Sequence, residues 1–101
     1  MDSYRILELN IIRWAEARKI IPNSTPQAQF IKMVSEVGEL ADAEGKNNLE
    51  LIKDSIGDIM VCLINYCALR DLDLVDCLSG AYDEIKNRKG SMNEKGVFIK
   101  E

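Results

Sequence analysis

Polar side chains recur at helical spacing between residues 26 and 44 of this sequence. Glu36 and Glu39 are three residues apart, and Lys32 and Gln29 continue the same row toward the N-terminus. Residues three or four apart in an α-helix lie on one face. The four side chains therefore form one polar row, which lies beside the apolar stripe of the segment rather than opposite it.

A second acidic row follows between residues 49 and 70. Asp54, Asp58 and Asn65 are four and seven residues apart, which again places them on one helical face. Asp58 stands among Ile56 and Ile59, in a segment that we expect to form core. A carboxylate in such a place costs several kcal/mol unless a partner compensates it. The chain contains no histidine to do so.

The two rows face each other if the two segments form neighbouring antiparallel helices. Glu36, Glu39, Asp54 and Asp58 would then come together, and their charges would repel. A hard divalent cation resolves that repulsion, because Mg²⁺ and Mn²⁺ take oxygen ligands and accept phosphate oxygens. Zinc is disfavoured without histidine. The spacing therefore predicts a Mg²⁺ site, with Mn²⁺ as the alternative ion.

A solvated face is the competing interpretation of any acidic row. We expect that simpler role for four other glutamates, which are Glu8, Glu16, Glu44 and Glu50. For Asp58 it is the weaker interpretation, because the neighbouring residues are apolar.

Composition excludes several classes of function. The 101 residues predict one domain, residues 1–101, and the net charge of -4 argues against a nucleic-acid polymer as partner. The longest apolar run is interrupted by Asp58 and Asn65, so we expect no membrane span. Cys62, Cys67 and Cys77 have no metal-site or disulfide spacing, and the N-terminus has no signal pattern. We therefore expect buried free thiols in a cytoplasmic protein.

Hydrophobic periodicity predicts an all-α fold with four helices. They cover residues 3–21, 26–44, 49–70 and 74–89, with Thr25 capping the second and Asn47 or Asn48 capping the third. Gly45 and Gly90 are the expected helix stops. Short connections favour an antiparallel four-helix bundle, followed by a C-terminal tail from Gly96 that forms a short strand or an extended arm.

The apolar residues of these helices predict both a core and an interface. The second helix is expected to bury one stripe, which consists of Phe30, Met33, Val34, Val37, Leu40 and Ala41. The third helix is apolar on more than one side, which exceeds the need of a small bundle. We therefore expect a homo-oligomer that assembles through its helices.

Three stretches carry a resemblance to a known family. "KMVSEVGELADA", "IKDSIGDIMVCLI" and the ending "AYDEIKNRKGSMNEKGVFIKE" resemble the MazG-like branch of the all-α nucleoside triphosphate pyrophosphohydrolases. That family binds Mg²⁺ through an ExxE motif on one helix and an ExxD motif on the next. Glu36 and Glu39 match the first motif, and Asp58 matches the end of the second. Ser55 replaces the second motif's glutamate, and Asp54 could supply the missing carboxylate.

The resemblance implies a Mg²⁺-dependent enzyme that hydrolyses nucleoside triphosphates between the α and β phosphates, as housekeeping of the nucleotide pool. Metal ions held by the carboxylates would offset the charge that develops on the departing pyrophosphate. Glu36 or Glu39 would accept a proton from the attacking water. The implied assembly is a homodimer or a dimer of dimers (a homotetramer).

The resemblance and the residue types together suggest how the rest of the substrate is held. Phosphates would meet basic side chains, for which the candidates are Lys32, Lys86, Arg88 and Lys89, and Asn87 would bond a phosphate or the sugar. Trp14 or Tyr82 would stack on the base. Gln29 and Ser55 would support the metal ligands, and Asn65 would bond either Asp58 or a second subunit.

Two rival functions remain open at this stage. The serine at position 55 is compatible with a degenerate relative that binds nucleotide or metal without turnover. A helical interaction protein with merely solvated acidic rows is the other rival.

Overall fold

The computed structural model describes residues 3–101, and these form five helices and one two-stranded sheet. The all-α prediction is confirmed at this level. The elements in chain order are α1 (Ser3–Ala17), α2 (Ile20–Asn23), α3 (Pro26–Gly45), α4 (Leu49–Leu69), α5 (Leu74–Ile85), β1 (Gly90–Met92) and β2 (Phe98–Lys100).

Side-chain caps define where α3, α4 and α5 begin. The Thr25 hydroxyl accepts from the Ala28 amide at 3.1 Å, and the Asn48 side chain accepts from the Leu51 amide at 3.2 Å. Asp73 accepts from the first amides of α5. Each cap satisfies an amide that has no partner within its helix. The predicted starts of α3 and α4 are therefore confirmed.

The helix ends differ more from the prediction. Helix α1 stops at Ala17, and a separate short helix, α2, follows it. After α3 the left-handed position belongs to Asn47, with φ of 51°, and not to Gly45. Helix α5 ends at Ile85, four residues before the predicted end, so residues 86–89 form a connection to the sheet.

The C-terminal tail forms the second strand of a hairpin. Strands β1 and β2 are antiparallel, with Met92 opposite Phe98 and Gly90 opposite Lys100. The predicted short strand is confirmed, whereas β1 was not anticipated. A Cβ atom at Gly90 would collide with the Phe98 ring and the Ile99 carbonyl, so only glycine fits there.

The antiparallel pair α3–α4 is the centre of the fold. Helix α3 buries Gln29 and Ala43 and half-buries Met33, Glu36 and Leu40, which together form one face. This differs from the predicted apolar stripe, which is largely on the outside: the side chains of Phe30, Val34 and Val37 are about half exposed in this chain, at 51%, 53% and 48%. The face toward α4 therefore combines part of the polar row, Gln29 and Glu36, with part of the apolar stripe, Met33 and Leu40.

Helix α1 packs on α4 and is tied to the start of α5 by a polar cluster. Arg5 Nη2 lies 3.0 Å from Asp73 Oδ2, and Arg5 Nη1 lies 2.7 Å from Glu8 Oε1. The Tyr4 hydroxyl donates to Glu8 Oε2 at 2.9 Å. The expectation that Glu8 is solvated was wrong, because this carboxylate is buried between two donors.

Helix α5 and the hairpin lack packing of comparable extent against the other elements of residues 3–101. The predicted closed four-helix bundle is therefore not confirmed. Cys62 and Cys67 are buried as predicted, but Cys77, on α5, is exposed and corrects that part of the prediction. Within the described residues, no helix is long and apolar enough to cross a membrane.

Candidate functional site

The carboxylates of Glu36, Glu39 and Asp58 lie close enough to influence one another across the α3–α4 interface. A hydrogen bond with Glu39 is the main cause that raises the pKa of Glu36, and loss of hydration and the charges of Glu39 and Asp58 raise it further. The Lys32 ammonium acts in the opposite direction. Two antiparallel helices thus bring together the residues that the spacing selected.

One oxygen of this group has no partner. Glu36 Oε2 is buried and accepts no hydrogen bond from residues 3–101. A buried acceptor without a partner is costly, and a cation would satisfy it. The donor set therefore fits a hard divalent ion. As the side chains stand, no three or more carboxylates or thiols of the described residues form a group that could hold a metal ion, so ligation requires these side chains to rearrange.

An open cavity of about 410 Å³ lies between the C-terminal half of α3 and the first half of α4. We refer to it as the acidic cavity. Its lining includes Glu39, Asp42, Asp54 and Asp58. Ser55 also lines it and is buried at 6% exposure. Asp54 therefore faces the same space as Glu39 and Asp58, as its suggested role as substitute ligand requires.

Asp58 does not sit in the core, contrary to the prediction. Its side chain is exposed in the single chain, although Ser55, Cys62 and Asn65 on the same face of α4 are buried. The case for a cation near Asp58 therefore rests on like charge and on the buried oxygen of Glu36. It does not rest on the burial of Asp58 itself.

A second cavity, of about 370 Å³, opens between α1 and α4. We refer to it as the α1–α4 cavity. Trp14 and Asp58 both line it, together with Asn10 and three aliphatic side chains, which are Leu7, Ile11 and Val61. The indole is 46% exposed, and Arg18 lies 6.0 Å from the ring centroid. Trp14 thus places an aromatic ring in the cavity that Asp58 lines, and stacking on a base requires such a ring.

Several predicted substrate contacts are not brought to this place. Tyr82 and the basic run from Lys86 to Lys89, which contains Asn87 and Arg88, line neither of the two cavities. Lys86 is paired with Asp83 at 3.1 Å. In this chain these residues lie on and after α5, and their predicted roles remain predictions.

The predicted supporting residues are buried, though with different partners. Gln29 donates to the Ser24 hydroxyl at 3.0 Å. Asn65 is 2% exposed, and its Oδ1 accepts no hydrogen bond from residues 3–101. The predicted bond of Asn65, to Asp58 or to a second subunit, stays a prediction. Burial raises the pKa of the Cys62 thiol, which opposes a thiolate ligand on this helix.

Two lining residues were missed in the sequence. Asn10 precedes Trp14 by four positions, so the helical period already placed both on one face of α1. Lys46 lines the acidic cavity from the α3–α4 connection, in register with Glu39 and Asp42 at steps of three and four. That spacing was the available signal for Lys46.

Comparison with known proteins supports the fold. The cyanophage S-2L MazG-like pyrophosphohydrolase, solved with dGDP and three catalytic Mn²⁺ ions per active site, matches with a TM-score of 0.72. The match covers 99% of this chain and 94% of that one, at 15% sequence identity. The chain therefore has a MazG-like all-α fold, as the resemblance implied.

A phage protein is similar at the sequence level. An uncharacterised 18.2 kDa protein of the rep-hol intergenic region of Haemophilus phage HP1 is 46% identical over 66 residues. The matched stretch covers 65% of this chain and 40% of the phage protein, so it spans less than half of that relative. No protein-family model matches this chain.

Proposed function

We propose that this chain is a single-domain, divalent-metal-dependent nucleoside triphosphate pyrophosphohydrolase. The observation that carries the proposal is the meeting of Glu36, Glu39 and Asp58 across α3 and α4, with one Glu36 oxygen buried and unpartnered. The fold shared with a MazG-like pyrophosphohydrolase supports it. The reaction would release pyrophosphate and a nucleoside monophosphate.

Glu36, Glu39 and Asp58 would hold the ion, and Asp54 would add a carboxylate from the same cavity. Mg²⁺ or Mn²⁺ supplies Lewis-acid stabilisation of the charge that develops on the leaving phosphates. Glu36 or Glu39 would accept the proton of the attacking water. Lys32, whose charge already reaches Glu36, would contact a phosphate.

The shape of the chain supports a homo-oligomer, with a dimer or a dimer of dimers as the proposed state. The chain exposes 7713 Å², against about 5,800 Å² for a compact monomer of 11.4 kDa. Its radius of gyration is 16.3 Å, against about 13 Å for a compact domain of this length. The excess of about 1,900 Å² is enough for a stable interface on each chain.

The exposed apolar face of α3 is the proposed contact with a second copy of this chain. It consists of Phe30, Ile31, Val34 and Val37, all about half or more exposed. A continuous apolar face on a helix that already buries its opposite side indicates a partner. The reason for this assignment is that α3 packs on α4 through one face and leaves Phe30, Val34 and Val37 exposed on another.

Ser55 favours one alternative, a binder without turnover. The side chain that lines the acidic cavity between Asp54 and Asp58 is a buried hydroxyl and not a carboxylate. A hydroxyl is a weaker ligand for a hard cation. The degenerate binder predicts metal-dependent nucleotide binding with no pyrophosphate released.

The test combines metal-induced stabilisation with product release. Mg²⁺ and Mn²⁺ should raise the melting temperature of the wild type, because a ligand that binds only the folded state stabilises it. Asp58→Asn should abolish the rise, and Asp76→Asn, an exposed control on α5, should retain it. Pyrophosphate released from a nucleotide panel then distinguishes the enzyme from the degenerate binder. Equal melting temperatures with and without metal would contradict both.

A further inference from the structure

The acidic cavity and the α1–α4 cavity share one residue, Asp58. The shared wall is a single face of α4, on which Leu51, Asp54 and Asp58 line one cavity and Asp58 and Val61 line the other. These positions are spaced by three and four residues, so they follow one line along the helix. Asp54 and Val61 are about 10 Å apart along that line.

The two cavities differ in chemistry in the way that the two ends of a nucleotide differ. The α1–α4 cavity presents an indole, aliphatic side chains and one amide, Asn10. Such a lining suits a base, which has an apolar face and a hydrogen-bonding edge. The lining of the acidic cavity that residues 3–101 provide has no aromatic side chain. It has carboxylates and one cation, Lys46.

Lys46 is available for an anionic ligand. It lines the cavity together with Asp42 and Asp54, yet its ammonium makes no ion pair within residues 3–101. A free ammonium at the far end of a carboxylate-lined cavity would attract the outermost phosphate of a ligand whose inner phosphates lie near Asp58. The reverse orientation would place phosphates against Leu7 and Ile11.

We propose that the nucleotide lies across Asp58 in one direction, with its base in the α1–α4 cavity and its outermost phosphate at Lys46. Asn10 then contacts the edge of the base and contributes to base preference, and Lys46 contacts the group that leaves as pyrophosphate. This inference rests on the proposed function, because it takes a nucleoside triphosphate as the ligand. It assigns roles to Asn10 and Lys46, and it extends the phosphate contacts beyond Lys32.

Trp14 makes the binding test independent of turnover. It is the only tryptophan of the chain, so its fluorescence reports the occupation of the α1–α4 cavity. The probes are the α,β-methylene analogues of the four deoxynucleoside triphosphates and the four deoxynucleoside monophosphates, each titrated with Mg²⁺ present. A ligand that stacks on the indole should change its emission.

Lys46→Met should weaken binding of the triphosphate analogues about tenfold or more, since a charge-assisted contact is lost. The monophosphates should bind as they do to the wild type, because they do not reach Lys46. Lys46→Arg should restore the triphosphate affinity. Lys53→Met, which removes an exposed cation of α4 that lines neither cavity, should change neither affinity.

Asn10→Ala should change the ranking of the four bases while the preference for triphosphate over monophosphate stays as in the wild type. The proposal is overturned if Lys46→Met binds triphosphate analogues like the wild type, or if it loses monophosphate affinity to the same extent. An unchanged base ranking in Asn10→Ala would overturn the role of Asn10.

The inference and the proposed function fail in different ways. Pyrophosphate release by the wild type, with undiminished release by Lys46→Met at low substrate, would retain the enzyme and refute the orientation. Selective loss of triphosphate binding in Lys46→Met, without turnover by the wild type, would retain the orientation and refute the enzyme.

Discussion

The carboxyl groups of Glu36 and Glu39 interact across one turn of α3, and this interaction raises the pKa of Glu36. Two carboxylates in such contact, with Asp58 contributing further negative charge, favour either a proton or a cation between them. At neutral pH a divalent cation is the more effective of the two.

Replacing one carboxylate of the Glu36–Glu39 pair should abolish metal binding without lowering the stability of the metal-free protein. Glu39→Gln relieves like-charge repulsion, so the metal-free protein should unfold at an equal or higher temperature than the wild type. The same variant should lose Mg²⁺-induced stabilisation, and its pyrophosphohydrolase activity should fall about a hundredfold or more. Mutation of residues that only support a metal ligand already lowers metal affinity or activity about 10–100-fold. Thermal unfolding with and without Mg²⁺ measures the first two effects.

The control for that experiment is Glu16→Gln, an exposed glutamate of α1 that lines neither cavity. It should respond to Mg²⁺ as the wild type does. A Glu39→Gln protein that retains the full metal response would contradict the assignment of Glu39 as a ligand.

The apolar face of α3 should determine the oligomeric state. Val34→Asp places a charge at the centre of that face, where Val34 is 53% exposed in the single chain. Burying this charge in an interface would be unfavourable, so the assembly should dissociate toward 11.4 kDa units. Light scattering after size exclusion measures the mass. Ser79→Asp, an added charge on exposed α5, is the control, and a Val34→Asp oligomer of wild-type mass would contradict the proposed interface.

The Arg5–Asp73 pair should make stability depend on pH in the acid range. Arg5 and the amides of α5 hold the pKa of Asp73 below its ordinary value of 3.8. A depressed pKa means that the stabilisation is present above that ordinary value and is lost as the pH falls through the folded-state pKa. Asp73→Asn keeps a cap acceptor but removes the charge. Its melting temperature should be lower than that of the wild type at pH 7, and the gap should close in acid.

Asp83→Asn removes the carboxylate of another ion pair, the exposed one with Lys86, and provides the comparison. It should change the melting temperature little at either pH, because exposed pairs contribute little. A gap between Asp73→Asn and the wild type that stays constant down to pH 3 would show that charge is not the cause.

The Tyr4 hydroxyl should ionise at a higher pH than that of an ordinary tyrosine. Loss of hydration and the hydrogen bond to Glu8 raise its pKa to about 12, from 10.0. Because the folded-state pKa is raised, the stabilisation is present below pH 10 and is lost as the pH rises through about 12. Near-ultraviolet titration should show a phenol that ionises only at high pH, and Tyr4→Phe should remove this signal. Complete ionisation of all tyrosines in one step near pH 10 would exclude this environment.

Local signals in the sequence predicted helix starts well and helix faces poorly. Thr25 and Asn48 act through amides within three positions, so their caps could be inferred without knowledge of the fold. Which face of α3 is buried depends on the side chains of α4 that pack against it. The amphipathic rule assigned Phe30 and Val34 to the core, although α3 packs through Gln29 and Ala43.

In the candidate site, too, local spacing could be read from the sequence and tertiary contacts could not. Glu36, Glu39 and Asp58 could be found from their spacing, because spacing determines which residues share a face of a helix. The burial of Glu8 could not, because it depends on Tyr4 and Arg5 closing around it and on Asp73 at a distant position. Cavities between elements, such as the one that joins Trp14 to Asp58, also appear only in three dimensions.

The most direct test of the central claim is ³¹P NMR of a panel of nucleoside triphosphates incubated with the wild-type protein and Mg²⁺. Pyrophosphate and nucleoside monophosphate should appear together, chelation of the metal should prevent both, and Asp58→Asn should produce neither. Triphosphates that remain intact with every base, or that yield diphosphate and inorganic phosphate, would contradict the central claim.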